Sequence, residues 1–122
     1  MGEGEEVRVL VVDDVRDVAD VIAGLLQLDG YAVRTAYGGE EAVALTESFR
    51  PHCILLDVSM PGMDGLELTK LLRTRYGDDV VLIAMTGSTP DDRRVYDTFT
   101  RVDHYLSKPI TAEQLRKVLP PQ

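Results

Sequence analysis

Five short apolar runs alternate with five amphipathic stretches along this chain, and that alternation limits the fold more than any other feature. A helix between every consecutive pair of strands forces the strands to run parallel, with helices covering both faces of one sheet. The expected elements are β1 over 7–12, α1 from a cap at Asp14 to Gly30, β2 over 31–35 and α2 from Gly38-Gly39 to Pro51. They continue with β3 over 54–56, α3 from a cap at Asp64 to Gly77, β4 over 80–85, α4 over 91–98, β5 over 102–106 and α5 from a cap at Thr111 to Pro120-Pro121. Helix starts are read from Asp or Thr with an acidic or amide residue three positions on (Asp17, Glu67, Gln114), and helix ends from Gly and Pro.

Burial then orders the strands. The run Val9-Leu10-Val11-Val12, the short segment 54–56 and the run 80–85 are continuously apolar, as strands covered on both faces must be. Tyr31-Ala32-Val33-Arg34-Thr35 alternates, and 102–106 is half polar, so β2 and β5 belong at the edges. The result is an α/β, flavodoxin-like (βα)5 three-layer sandwich with a five-stranded parallel sheet in the order 2-1-3-4-5. Inward stripes are expected from Val18, Ile22, Leu25 and Leu26 in α1, from Ala42, Leu45, Thr46 and Phe49 in α2, and from Leu68, Leu71 and Leu72 in α3. They continue with Leu115, Val118 and Leu119 in α5. Only Val95 and Phe99 anchor α4, so it should be the least firmly held helix. The 122 residues make one domain, with its core over about 7–119.

Composition narrows the partners. With 21 acidic against 13 basic residues the net charge is −8, which disfavours nucleic acid and anionic membrane. Apolar runs reach about six residues, far short of the ~20 that span a bilayer. Residues 1–6 carry no leader pattern, and the lone Cys53, in an apolar run, reads as a buried structural thiol. The expected setting is a reducing cytoplasm.

In folds of this kind ligands bind beyond the carboxyl ends of the strands, at the switch point between β1 and β3. There β1 ends in Asp13-Asp14, β3 in Asp57, β4 in Thr86 and β5 in Lys108. Each alone is unremarked: an Asp-Asp pair caps helices, and a Lys-Pro pair means little. Together they are a cluster. At ~4 Å and an effective dielectric of ~20, each carboxylate pair repels by about 4 kcal/mol. Such a group must protonate, pair with cations or bind a metal, and oxygen ligands with few carboxylates suit Mg²⁺. A carboxylate beside Mg²⁺, a lysine and a hydroxyl can act as a phosphoryl acceptor.

These residues, with Leu55-Leu56-Asp57-Val58-Ser59-Met60-Pro61-Gly62-Met63-Asp64-Gly65, Met85-Thr86-Gly87 and Tyr105-Leu106-Ser107-Lys108-Pro109, closely resemble the receiver domains of two-component response regulators, from Val7 to about Leu119. The resemblance implies a phosphoacceptor module, not a true enzyme, that is phosphorylated on Asp57. Asp14, Asp57 and the Ser59 backbone carbonyl would hold Mg²⁺, with Asp13 acting through water. Thr86 and Lys108 would bind the phosphoryl group. Thr86 and Tyr105 would form the switch that couples the site to the α4-β5-α5 face. The Lys108-Pro109 bond would be cis. The donor would be a histidine kinase or histidine phosphotransfer protein docking near α1, around Arg16 and Ala19. A downstream protein would read the α4-β5-α5 face, where the family precedent also includes a phosphorylation-dependent homodimer. Departures from the family pattern are Arg101-Val102 before β5, His104 before Tyr105, and the small Ser59 two residues past the acceptor.

Two other classes compete. An aspartate-nucleophile phosphatase on a related fold wants a second acid where this chain has Ser59. A pseudo-receiver that docks partners without phosphorylation generally lacks one of the acids or the lysine, all of which this chain has.

Overall fold

The computed structural model describes residues 6–58, 65–87 and 101–121. Among them are β1 (Arg8–Val12), α1 (Arg16–Leu28), β2 (Ala32–Ala36), α2 (Gly39–Phe49), β3 (Cys53–Asp57), α3 (Gly65–Tyr76), β4 (Val81–Thr86), β5 (His104–Ser107) and α5 (Ala112–Val118). All strand pairings are parallel and the sheet order is β2-β1-β3-β4-β5, as the burial of the runs required. The expected α4, with Val95 and Phe99, and the loop 60–63 with the Asp64 cap lie outside the described residues.

Alternation along each strand divides the core in two. Val9, Val11, Cys53, Leu55, Ile83, Met85 and Leu106 pack under Ile22, Leu26, Leu115 and Leu119 of the α1 and α5 layer. Leu10, Val12, Ile54, Leu56 and Leu82 pack under Ala42, Leu68 and Leu72 of the α2 and α3 layer. Each large side chain so buried contributes about 1.5–3 kcal/mol before chain entropy is counted. Cys53 is fully buried, and that burial raises its thiol pKa to about 11, which makes it inert. In α2 the buried polar residue is Thr46, held by its hydroxyl to the Val43 carbonyl, while Leu45 and Phe49 are only half-buried.

Local rules hold where their partners are local. Thr111 caps α5 in a complete box: its hydroxyl accepts the Gln114 amide at 3.2 Å and Gln114 Oε1 accepts the Thr111 amide at 2.8 Å. Gly77 leaves α3 at φ 57°, the left-handed turn glycine permits. Arg50 leaves α2 in the same region at φ 52°, and its carbonyl accepts Arg8 Nε at 2.9 Å.

The start of α1 departs from the expectation. Its N-cap is Val15, not Asp14, and no side chain caps it. Asp13 Oδ1 accepts the Val15 amide at 3.0 Å, and the Asp14 carboxylate belongs to an acidic group at the sheet edge. With Asp13 already accepting the Val15 amide, the helix begins beyond Asp14, at Arg16. At the other edge β5 begins at His104 rather than 102, because the Asp103 carboxylate takes the Leu82 amide at 2.8 Å.

Candidate functional site

The strands deliver their polar ends to one place. Asp13 follows β1, Asp57 is the last residue of β3, Thr86 is the last residue of β4, and Lys108 follows β5. Asp13, Asp57 and Thr86 are all buried. A carboxylate oxygen from each of Asp13, Asp14 and Asp57 lies within 4.8 Å of the other two, with Asp14 the exposed member. The backbone locks these ends in register. The Lys108 amide donates to the Thr86 carbonyl at 2.8 Å, and the Val58 amide to the Met85 carbonyl at 3.2 Å. The Lys108-Pro109 peptide is cis, as the resemblance implied.

Lys108 bridges two of the acids. Its Nζ lies 2.9 Å from Asp13 Oδ2 and 3.4 Å from Asp57 Oδ2. Burial works against its charge, but the hydrogen bond it donates to Asp13 and the field of Asp57 outweigh that and raise its pKa above the ordinary lysine value. Among the described residues three carboxylates gather beside this one ammonium, a local excess of negative charge that a cation would offset. An all-oxygen donor set with two buried carboxylates and one open to solvent fits a hard divalent ion that keeps water ligands, and is consistent with Mg²⁺.

Other site residues fall as follows. Ser59 lies outside the described residues. Tyr105 stands on edge strand β5 with 59% of its surface exposed, paired in register with Ala84. Ala19, expected near a docking partner, is fully buried and cannot touch one; the solvent side of α1 instead presents Val21, 63% exposed.

Two features escaped the sequence reading. A side chain on Gly65 would place its Cβ 2.3 Å from the Val58 Cα and 2.9 Å from the Asp57 carbonyl oxygen, so only glycine lets α3 start against the strand end that carries Asp57. The available signal was a glycine at the first turn of a helix, where its propensity is poor. Gln114 Nε2 also donates to the Ser107 carbonyl at 3.2 Å, which ties the start of α5 to the residue before Lys108.

Comparison with known proteins agrees with this geometry. The family model for the response regulator receiver domain matches residues 9–120. The response regulator MprA of Mycolicibacterium vanbaalenii is 41% identical over 109 residues, covering 89% of this chain and 47% of its own. MprA of Mycobacterium bovis is 40% identical over the same length. Among solved structures, the chemotaxis protein CheY4 of Vibrio cholerae superposes with a TM-score of 0.83 at 30% identity, covering 94% of this chain and all of that one. The response regulator TrrA of Thermotoga maritima, solved with Mg²⁺ and BeF, gives 0.79 at 31% identity over 90% of this chain and 93% of that one.

The fold and its acidic edge are those of a signalling receiver module, and the chain belongs to the response regulator receiver domain family. It is a two-component receiver with an acidic pocket of Asp13, Asp14 and Asp57, not a classical enzyme. The chain spans about half the length of the curated relatives it matches. Among the described residues no helix is long and apolar enough to cross a membrane.

Proposed function

We propose that this receiver, a single domain over the matched region, accepts a phosphoryl group on Asp57 from a phosphohistidine partner in the cytoplasm and signals by a change of shape. The observation that carries the reading is the buried Asp57 at a strand end, flanked by two further carboxylates and ion-paired to Lys108. An Asp57 oxygen attacks phosphorus, the P–N bond breaks, and the imidazole nitrogen keeps the electron pair. Asp14, Asp57 and the Ser59 carbonyl would hold Mg²⁺ directly and Asp13 through water. The ion, when bound, supplies positive charge to the equatorial oxygens. Lys108 exchanges part of its bonding to the acids for the phosphoryl group, and the Thr86 hydroxyl donates to another of its oxygens.

The switch follows from that exchange. Contacts from Thr86 and Lys108 to the new group exist in one arrangement only, so phosphorylation shifts the population toward it. Tyr105, exposed on the edge strand, moves inward as Thr86 moves, which alters the α4-β5-α5 face offered to a downstream protein. The donor is a histidine kinase or phosphotransfer protein. A groove of about 540 Å³ between Val18, Val21 and Ile22 of α1 and Lys108, Pro109 and Ile110 supports docking beside the pocket.

The test is intact mass after incubation with acetyl phosphate and Mg²⁺, beside an Asp57→Ala control. A gain of one phosphoryl group that vanishes in the control and without Mg²⁺ supports the acceptor role. No gain, together with spectra unchanged by beryllofluoride and Mg²⁺, overturns it in favour of a module that docks without phosphorylation.

A further inference from the structure

A second cation follows Asp14 of the pocket by two positions in the chain, in a different setting from Lys108. Arg16 is the first residue of α1, two positions after Asp14. Its guanidinium carbon lies 4.4 Å from the centre of the Tyr37 ring. Tyr37 directly follows β2, so the stack joins the start of α1 to the β2–α2 connection at the carboxyl edge of the sheet. The ring is fixed from three directions. Its hydroxyl donates to Asp20 Oδ1 at 2.8 Å and accepts from Thr35 Oγ1 at 3.3 Å, and the Tyr37 amide donates to Glu41 Oε1 at 2.7 Å.

Arg16 is exposed, and although Asp14, Asp17 and Asp20 lie within four positions of it, it makes no ion pair among the described residues. A guanidinium stacked through its face keeps its N–H edge for other partners, and that edge matches phosphate oxygens two at a time. Lys108 is already bonded to Asp13 and Asp57. A phosphodonor is an anion that must approach three carboxylates, so a held cation with unused donors is what its approach requires.

We propose that Arg16 recognises the incoming phosphodonor by its phosphoryl oxygens, and that Tyr37 is the positioning residue that holds Arg16 for this contact. The ligand class is a phosphoryl group on a labile bond, either an acyl phosphate or a phosphoramidate. The role in transfer rests on Asp57 being the acceptor; the phosphoryl contact itself does not.

The experiment uses the full chain with Mg²⁺ and follows initial phosphorylation rates at varied acetyl phosphate and, separately, phosphoramidate. In Arg16→Gln the half-saturating concentration of both donors rises about fivefold to tenfold, the worth of one solvent-exposed hydrogen bond, while the limiting rate stays within about twofold. Arg16→Lys recovers part of the loss. Tyr37→Leu moves the same quantity in the same direction, and Tyr37→Phe, which keeps the ring but not its hydroxyl, moves it less. An unchanged half-saturating concentration in Arg16→Gln overturns the proposal and leaves Asp57 as the acceptor. A rise with one donor alone also overturns it, because the contact would then be to the leaving group.

A second arm needs no acceptor. Inorganic phosphate with Mg²⁺ is titrated into ¹⁵N-labelled protein, and the Arg16 Nε–H and Tyr37 amide resonances shift in the wild type but not in Arg16→Gln. Such a shift in a protein that takes up no phosphoryl group ends the Asp57 reading and keeps Arg16 as a phosphoryl contact. Absence of any shift overturns the proposal.

Discussion

The two ends of the sheet treat charge in opposite ways. At the amino end several polar and charged side chains are tied to backbone. The Arg8 amide donates to His52 Nδ1 at 2.9 Å, and the His52 amide returns a bond to the Arg8 carbonyl at 2.8 Å. Arg73 donates to the carbonyls of Arg101, Gly77 and Val80 and to Asp103 Oδ2 at 2.8 Å, which binds α3 to the starts of β4 and β5. Burial pushes the Asp103 carboxyl up, but the Leu82 amide and the Arg73 guanidinium outweigh it and hold the pKa below the ordinary aspartate range. At the carboxyl end, among the described residues, three carboxylates gather beside one lysine that pairs with two of them. One end spends its polar groups on holding strands together. The other keeps an excess of negative charge that a bound cation can relieve, which is where a fold is expected to tolerate local conflict.

The sharpest way to break this contrast is Gly65→Ala. The residue lies at the functional end but serves packing, and its new Cβ would meet Val58 backbone at 2.3 Å. A loss of about 3 kcal/mol in urea unfolding is expected, since backbone on both sides must give way; a loss below about 1 kcal/mol would show that α3 can simply step back. Next comes Arg73→Ala, which strands three carbonyls and a carboxylate and should cost about 2 kcal/mol with little effect on phosphorylation at Asp57. If phosphorylation fell with stability, the two ends would not be independent.

At the pocket the sign reverses. Asp57→Asn removes two repulsions and one attraction, so without divalent metal it should unfold at a higher urea concentration, a gain of about 1 kcal/mol. A destabilised Asp57→Asn would mean that the Lys108 pair dominates the acids.

The smallest effects are in pH. The lowered Asp103 pKa contributes stability that is present above the unfolded aspartate value and is lost as pH falls through the folded value, below about 4. The raised Lys108 pKa contributes stability that is complete below 10.5 and lost as pH rises through the folded value. Acid should therefore erode the amino end and alkali the carboxyl end. Urea midpoints against pH check this: Asp103→Asn should flatten the acid limb alone and Lys108→Met the alkaline limb alone.

Much of this was legible from the chain. Continuous runs such as Val9-Leu10-Val11-Val12 can exist only where both faces are covered, so apolarity ranked the strands and with them the order 2-1-3-4-5. Parallel strands also place their carboxyl ends at one edge, so Asp13, Asp57, Thr86 and Lys108 could be brought together from strand ends alone. The Thr111–Gln114 box was readable because both partners lie within one turn.

What the chain could not show lies in contacts between elements. The pattern places the α1 cap at Asp14, but in the fold Asp13 takes the Val15 amide while also pairing with Lys108, and both acids lie in the pocket. Likewise Arg16 and Tyr37 are 21 positions apart, Arg8 and His52 are 44 apart, and Gly65 meets Val58 from seven positions away. Periodicity and capping act over a few residues and are written in the chain itself. Which side chain wins a shared partner depends on the distances and angles set when helices pack on the sheet, and those exist only in the folded molecule.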